Sequence, residues 1–555
     1  MKRIIRIILE IVKINFFALF KIKTNSLSVK EFPLDIYGKS AFFNHPFYKK
    51  GETSYFAQIY GSNNSLDFVV AKRSHLKFVS EIVKGTYVNC VHKLHIKEGE
   101  LLPVSIPNKN TDASTASIRI NSNGKDYELK KLKQNSFHFI PFTKESNVEV
   151  SSNREIIVGD PIRFINSSSN KPNKKLVMSI FIDGLSSEIF KNEKIEKLMP
   201  NVAKYFSEGS MFFNVISSGN WTLPGVGSLF SGLYPIKHGM NHPRKELEIG
   251  KDYKIISEYF KESGYTTAQI CSNFRKSPGY GYMKGFDRTL YKNGMNCKES
   301  IFNTIEHLRS FSKTSNYVWL TLFDLHDFLD GVPDLSVQTD LSIDLHNYGV
   351  DSSKSVFHSY DSNRIDRYLS ELKRIDFYLK FLFDYISNNY QDEEIVLSIC
   401  SDHGQSYLTD EEEILSRGRV VVPMFFKSEE APFLTNNELV SNVDYLPSIL
   451  NLSKINFEHD SIDGELPTIF GGKNGREYAI SESIYPDQPY KAVIHKHNEF
   501  FYVNSTNNIS NIDNIDIEKL ELKLEKCLIS DDGSIQYTKP DKDDLSKCID
   551  MLIKR

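Results

Sequence analysis

The sequence predicts an α/β protein in which a mostly parallel sheet carries helices on both faces, together with an N-terminal β-rich domain. From residue 176 onward, apolar strand-like runs alternate with helical patterns, which is typical of parallel sheets covered by helices. Between residues 117 and 158, short alternating runs are separated by turn signals, which is typical of antiparallel strands. The polar run NSSSNKPNKK, residues 166–175, separates the two regions and predicts a linker.

The β-rich domain is expected over residues 26–168. Its predicted strands cover residues 117–121, 127–132, 137–142 and 155–158. Asn123-Gly124 lies between the first two and predicts a type I′ hairpin turn. The region carries no recognisable chemistry, so we expect a scaffold or a glycan-facing accessory module.

The α/β domain is expected over residues 174–505. Its predicted strands cover residues 176–182, 267–271, 318–323, 395–400 and 420–426. Helices are predicted over 252–263, ending before Gly264, and over 364–386, where apolar residues recur at helical spacing. Ligands of such sheets bind beyond the carboxyl ends of the strands. The remaining residues, 506–555, predict a charged helical tail.

The N-terminus predicts an amphipathic helix over residues 1–25. Arg3, Arg6, Glu10 and Lys13 interrupt an apolar stretch at helical spacing, a pattern that favours an interfacial helix over a membrane-spanning one. Residues 1–21 therefore either contact a membrane surface or pack on the protein itself. No small-residue cleavage site follows, so we expect a cytoplasmic protein or one peripheral at the inner membrane surface.

Composition excludes some classes of function. The 68 basic and 71 acidic residues leave a formal net charge of −3, which argues against nucleic acid as a partner. The six cysteines form no CxxC pair, which argues against a zinc ribbon or a dense disulfide framework and is compatible with a reducing compartment.

Three side chains with metal-ligand chemistry follow predicted strands directly. Asp183 comes after the strand 176–182, and Asp402 and His403 come after the strand 395–400. Two carboxylates and an imidazole at one edge of a sheet suit a divalent cation, although an aspartate after a strand is also a common helix N-cap. Thr222, in NWTLPGVG, stands where a loop turns into a helix, so it is either a nucleophile beside an anion site or an N-cap.

Several segments resemble bacterial sulfatase-like hydrolases and transferases of the alkaline phosphatase superfamily. They occur in the family's order over roughly residues 174–505 and include residues 199–240, 254–273, 318–327, 395–405, 420–427, 443–450 and 463–483. The resemblance implies an alkaline-phosphatase-like fold in which Asp183, Thr222, Asp402 and His403 bind metal. It also implies that Thr222 is the nucleophile and that His326, in FDLHD, is a substrate-side histidine. Asp324 in the same stretch is either a ligand of a second ion or structural.

The chain departs from the family at the anion-binding positions. Thr222 stands where sulfatases convert a cysteine or serine to formylglycine, and threonine cannot be converted. The arginine of that motif is Val226, and the expected lysine-histidine segment reads Cys271-Ser272-Asn273-Phe274. Gly184 replaces a second aspartate. In having threonine at position 222, the chain resembles phosphodiesterases and phosphoethanolamine or phosphoglycerol transferases of the superfamily.

The expected function is that of a metal-dependent phosphoester hydrolase or phosphotransferase acting on cell-envelope or capsular glycans. It requires one divalent ion, with zinc, manganese, calcium and magnesium not distinguished, and leaves room for a second. The alternatives are a catalytically silent binding or assembly protein and a sulfuric ester hydrolase.

Overall fold

The computed structural model describes residues 48–50, 53–60, 79–107, 117–130, 132–166, 171–241, 247–273, 280–326, 334–340, 362–409, 411, 413–436, 438–485, 487–509, 515–530 and 535–554. The predicted helix over residues 1–25 and the membrane contact of residues 1–21 lie outside this part of the chain. Within the described residues, every helix is too short or too polar to cross a membrane.

The strands, in chain order, are β1 (Tyr48–Lys50), β2 (Thr53–Ile59), β3 (Ser80–Val88), β4 (Val91–Ile96), β5 (Glu100–Ser105), β6 (Ile118–Ser122), β7 (Lys125–Leu129), β8 (His138–Phe142), β9 (Ser146–Ser152), β10 (Ile156–Gly159), β11 (Ile162–Arg163), β12 (Leu176–Ile182), β13 (Ser210–Ile216), β14 (Thr266–Cys271), β15 (Arg288–Tyr291), β16 (Asn316–Leu322), β17 (Ile395–Cys400), β18 (Val421–Ser428), β19 (Leu434–Asn436), β20 (Val440–Ser441), β21 (Ala479–Ser483), β22 (Pro489–His495), β23 (Glu499–Asn508), β24 (Leu522–Ile529) and β25 (Ile535–Thr538). The α-helices are α1 (Ile189–Asn192), α2 (Ile195–Leu198), α3 (Pro200–Tyr205), α4 (Thr222–Ser231), α5 (Pro235–His238), α6 (Ile256–Glu262), α7 (Cys297–Ser310), α8 (Leu335–Asp340), α9 (Ser362–Asn389), α10 (Arg417–Val420), α11 (Tyr445–Leu452) and α12 (Asp544–Lys554).

The central sheet has the strand order β15-β14-β16-β12-β17-β18-β13. From β15 to β17 neighbouring strands are parallel, and β18 and β13 continue the sheet in antiparallel pairing. Every residue of β12 is buried; Ile180 and Ile182 point into one apolar core, and Val177 and Phe181 point into another on the opposite face. Burial on both faces explains the continuous apolar runs, and the predicted mostly parallel α/β sheet is confirmed.

The longest helix, α9, covers one face of this sheet. Tyr368, Leu372, Ile375, Leu379 and Leu382 form its fully buried face, as the helical spacing predicts. The predicted helix over 252–263 is shorter, since α6 begins only at Ile256, but it ends at the expected glycine: Gly264 has φ +89°.

The N-terminal β-rich region is continuous with the central sheet. Strand β3 pairs antiparallel with β15, so β2, β3, β5, β10 and β11 extend the same sheet, while β4, β9, β6 and β7 form a separate four-stranded sheet. The predicted hairpin joins β6 to β7, with Ser122 opposite Lys125. Asn123 has φ 49° and Gly124 has φ 81°, the conformation that a type I′ turn requires.

The C-terminal part differs from the predicted charged helical tail over residues 506–555. The expected boundary at 505/506 falls inside β23, and β24 and β25 complete a five-stranded antiparallel sheet. Among the described residues there, the helical segments are a short 3-10 helix, Ile517–Lys519, and α12. Over residues 522–525 of β24 apolar and charged residues alternate, because one face of the sheet is solvated, and a short charged pattern of this kind does not distinguish a strand from an exposed helix.

Candidate active site

Two neighbouring parallel strands bring the predicted ligands together. In β12 and β17, Phe181 pairs with Cys400, so Asp183 and Asp402-His403 leave the sheet side by side. All three side chains are fully buried. The Nε2 atom of His403 lies 3.7 Å from Oδ1 of Asp183 and 3.4 Å from Oδ2 of Asp402. Asp183, Asp402 and His403 therefore converge, as their positions after the strands predict.

Thr222 joins this cluster from the first turn of α4. Its Oγ1 atom lies 3.3 Å from Nε2 of His403, and the side chain is buried. The helix approaches closely because residue 225 is glycine: a Cβ there would lie 2.8 Å from Cβ of Asp402. The Ser217 hydroxyl, in the loop before α4, donates to the Asp402 carbonyl and ties the two segments together.

His326 also lies at the cluster. One ligand atom each from Asp183, His326 and His403 falls within 4.8 Å of the others. The imidazole of His326 is partly exposed and stacks on Phe323, with the ring centroids 4.5 Å apart. His326 was assigned from the sequence to the substrate side only, and its position also suits a ligand.

The electrostatics of His403 test whether this group of residues fits a cation. Burial, followed by the nearby charge of Arg419, holds the pKa of His403 well below its usual value, so the ring is neutral at pH 7. Its Nδ1 donates to the Gly404 carbonyl at 2.8 Å, which leaves the lone pair of Nε2 facing the two carboxylates. These short contacts are therefore not ion pairs. The carboxylates of Asp183 and Asp402 and the hydroxyl of Thr222 all lie within 3.7 Å of the Nε2 nitrogen, a set of donors that fits a divalent cation.

Asp324 has a structural role. Its Oδ1 accepts a hydrogen bond from the Cys297 amide at 3.0 Å, at the start of α7, and from Nη1 of Arg374 in α9 at 2.8 Å. These contacts favour the structural alternative over ligation of a second ion.

The anion-binding positions of the family are neutral. Val226 is fully buried in the apolar core that includes Phe230 and Ile256. Ser272 and Asn273, after β14, are buried and uncharged. At these positions the side chains offer no positive charge to a substrate.

The structure adds two buried residues that the sequence reasoning missed, Arg419 and Gln405. Arg419 donates to Gln405 Oε1, and Gln405 donates to the Leu325 carbonyl, next to His326. A possible signal was an arginine directly before the apolar run of β18, where a buried charge requires partners.

The comparisons with known proteins identify the family. The sulfatase family model matches residues 175–455, about half of the 555 residues. A search of curated proteins finds no match.

Solved structures with a similar chain include a protein of the alkaline phosphatase superfamily from Vibrio parahaemolyticus (14% identity, TM-score 0.48, 70% of this chain and 87% of that one). Two others are a 2-O glycosaminoglycan sulfatase (14%, 0.46, 60% and 82%) and a protein from a Bacteroides thetaiotaomicron locus for the metabolism of multiple glycosaminoglycans (15%, 0.49, 69% and 94%). At these scores the likenesses add nothing to the family match. On that match, the chain belongs to the sulfatase family and is a sulfatase-like hydrolase, with a buried group of aspartate and histidine side chains that could hold a metal ion.

Proposed function

We propose that this chain is a metal-dependent phosphoester hydrolase or phosphotransferase that uses Thr222 as its nucleophile. The observation that carries the proposal is the contact of Thr222 Oγ1 with Nε2 of His403, 3.3 Å away, beside the carboxylates of Asp183 and Asp402. A hydroxyl at the start of a helix and next to a cation site is placed for attack on a bound anion.

Asp183, Asp402, His403 and Thr222 would hold the cation, with His326 close enough to contribute. When bound, a divalent cation lowers the pKa of the nucleophile hydroxyl and neutralises charge on the transferred group. The side chains of Asp183 and Asp402 are fully buried, so the cation position that they would form is shielded from bulk water.

The reaction has two displacement steps. Thr222 Oγ1, having lost its proton, forms a bond to phosphorus while the bond to the leaving oxygen breaks, and His326 gives that oxygen a proton. Water or an acceptor hydroxyl then attacks phosphorus, the bond to Thr222 Oγ1 breaks, and His326 takes the proton of the attacking group. Water completes a hydrolase, and a sugar hydroxyl completes a transferase.

The nucleophile favours phosphorus over sulfur. Threonine cannot become formylglycine, the group on which sulfatases depend, whereas its hydroxyl can form a phosphate ester. The neutral residues Val226, Ser272 and Asn273 further favour a phosphodiester, which has one negative charge, over a phosphomonoester, which has close to two at pH 7.

A glycan substrate is supported by aromatic residues beside the nucleophile. Trp221 precedes Thr222, and its ring makes an edge contact with Tyr485, at a centroid distance of 6.0 Å. Tyr485 is 36% exposed, so part of its ring is accessible for contact with the apolar C–H face of a pyranose. We propose cell-envelope or capsular glycans as the substrate class.

The test compares an aryl phosphodiester with an aryl sulfate in the presence of Mn²⁺. We expect turnover of the diester and a phosphorylated Thr222 peptide in mass spectra of the quenched enzyme. Thr222→Val keeps the side-chain shape without the hydroxyl, and should lower turnover by about 10³-fold or more and abolish the phosphopeptide. Thr304→Val is the matched control, because Thr304 is equally buried and donates to Ser300 O in α7.

Each other outcome identifies an alternative. Turnover of the sulfate alone would make the protein a sulfuric ester hydrolase. Undiminished turnover in Thr222→Val would reject Thr222 as the nucleophile. Absence of both turnover and Mn²⁺ binding in the wild-type protein would favour a catalytically silent member.

A further inference from the structure

Arg419 is fully buried at the end of α10, between the loops that carry the candidate site residues. Its Nε donates to the Asn220 carbonyl at 2.6 Å, and its Nη1 donates to the Gly404 carbonyl and to Gln405 Oε1, each at 3.1 Å. Its own carbonyl accepts a hydrogen bond from the Gly404 amide at 2.7 Å.

These contacts reach two loops directly and a third through Gln405. Asn220 lies two residues before Thr222, so the first contact fixes the entry to α4. Gly404 follows His403, and its carbonyl also accepts from Nδ1 of His403, which sets the direction of that ring. Gln405 passes the connection on, because its Nε2 donates to the Leu325 carbonyl at 3.1 Å, one residue before His326.

The guanidinium group suits this task for a geometric reason. Its donors diverge in one rigid plane, so a single side chain can fix acceptors on several segments at once, whereas a lysine ammonium is a flexible point charge. Removing it would take this donor from the Asn220 carbonyl and one of two donors from the Gly404 carbonyl, and would release the loops from one another.

We propose that Arg419 is a positioning residue that holds the loops of Thr222, His403 and His326 in register for cation binding. The inference rests on the proposed function only for its cation site. It concerns the side chain that keeps the ligands together, and it is valid for either a phosphate or a sulfate ester as the substrate.

Hydrogen exchange and Mn²⁺ binding test it on the full chain. In Arg419→Met, we expect faster amide exchange in all three loops, at residues 218–222, 402–405 and 324–326. Mn²⁺ affinity, followed by electron paramagnetic resonance, should fall by about 10- to 100-fold, the usual effect of losing a partner that orients metal ligands. Arg419→Lys, which keeps the charge without the rigid fork, should show the same changes to a smaller extent and serves if the methionine variant does not fold.

Arg288→Met is the matched control. Arg288 is equally a buried arginine, but it pairs with Glu81 at the junction of β15 and β3. The Arg288→Met variant should have a lower melting temperature, with amide exchange in the three loops and Mn²⁺ affinity at wild-type levels. The proposal is overturned if Arg419→Met, or Arg419→Lys in its place, affects at most one loop, or if the two arginine positions give the same result. Neither readout depends on turnover, so failure of the phosphoryl chemistry would be seen separately.

Discussion

The two sides of the candidate site contrast in charge and in origin. The acidic side consists of Asp183, Asp402 and His403 at the ends of β12 and β17. The helix side consists of α4, which contributes the hydroxyl of Thr222 and whose Val226 packs into an apolar core. The side chains of the acidic side fit a cation, whereas the helix side presents a hydroxyl and little charge. We infer that the bound cation is the main positive charge that a substrate meets.

Loss of charge on the acidic side should have the largest effect. Asp402→Asn keeps an oxygen for the amides of Gly184 and His403, which Oδ1 accepts at 3.3 and 3.0 Å, but removes the negative charge. Because a catalytic cation stabilises the transition state by several kcal/mol, turnover should fall by roughly 10³-fold, and Mn²⁺ binding should weaken with it. Calorimetric titration with Mn²⁺ and an aryl phosphodiester assay measure both. Asp376→Asn is the control, a buried carboxylate bonded to Val202 N on α3; equal losses in both variants would contradict the contrast.

Adding the family's arginine to the helix side should not restore an anion clamp. Val226→Arg puts a charge into an apolar core, so the free energy of unfolding should fall by about 3 kcal/mol or more without any gain in turnover. Denaturant unfolding measures the first quantity, and Val226→Leu controls for volume. A stable arginine variant with increased turnover would mean that position 226 faces the substrate.

His326 stands between the two sides, and one variant distinguishes its possible roles. As a proton donor, His326→Gln should lower turnover of an alkyl phosphodiester by about 100-fold and that of a nitrophenyl diester much less, because nitrophenolate leaves without a proton. Exposed His95→Gln should leave both rates unchanged. Equal losses with both leaving groups would instead assign His326 to the cation with Asp183 and His403.

The helix side should also lose stability in acid. Behind α4, burial lowers the pKa of His238 to about 3, and its Nδ1 accepts from the Met240 amide at 3.0 Å. The unfolded chain takes up a proton near pH 6.5 and the folded one only near pH 3, so the stabilisation is present at pH 7 and is lost as the pH falls between these values. At pH 5 this single group should cost about 2 kcal/mol of the free energy of unfolding. In His238→Asn, the decrease in the free energy of unfolding between pH 7 and pH 5, measured by urea unfolding, should be smaller by that amount. A decrease equal to that of the wild-type protein would contradict the assignment to His238.

The acidic side could be predicted from the sequence because its geometry is local. The carboxyl ends of strands in a parallel sheet lie at one edge, so a correct prediction of two strands is enough to place Asp183, Asp402 and His403 together. Arg419 could not be found this way, because its partners are backbone carbonyls of distant loops, which leave no pattern in the side chains. The prediction of a charged helical tail over residues 506–555 was wrong, because the charged residues of β24 resemble those of an exposed helix unless the neighbouring strand is known.

The pairing of β3 with β15 limits how this protein can be dissected. A fragment beginning at residue 174 would keep every candidate site residue but would expose β15 as an edge strand with unpaired amides and carbonyls. It would also remove Glu81, the ion-pair partner of Arg288. Such a fragment would be prone to join edge to edge with its own copies, so recombinant work on the site should retain the residues from β2 onward.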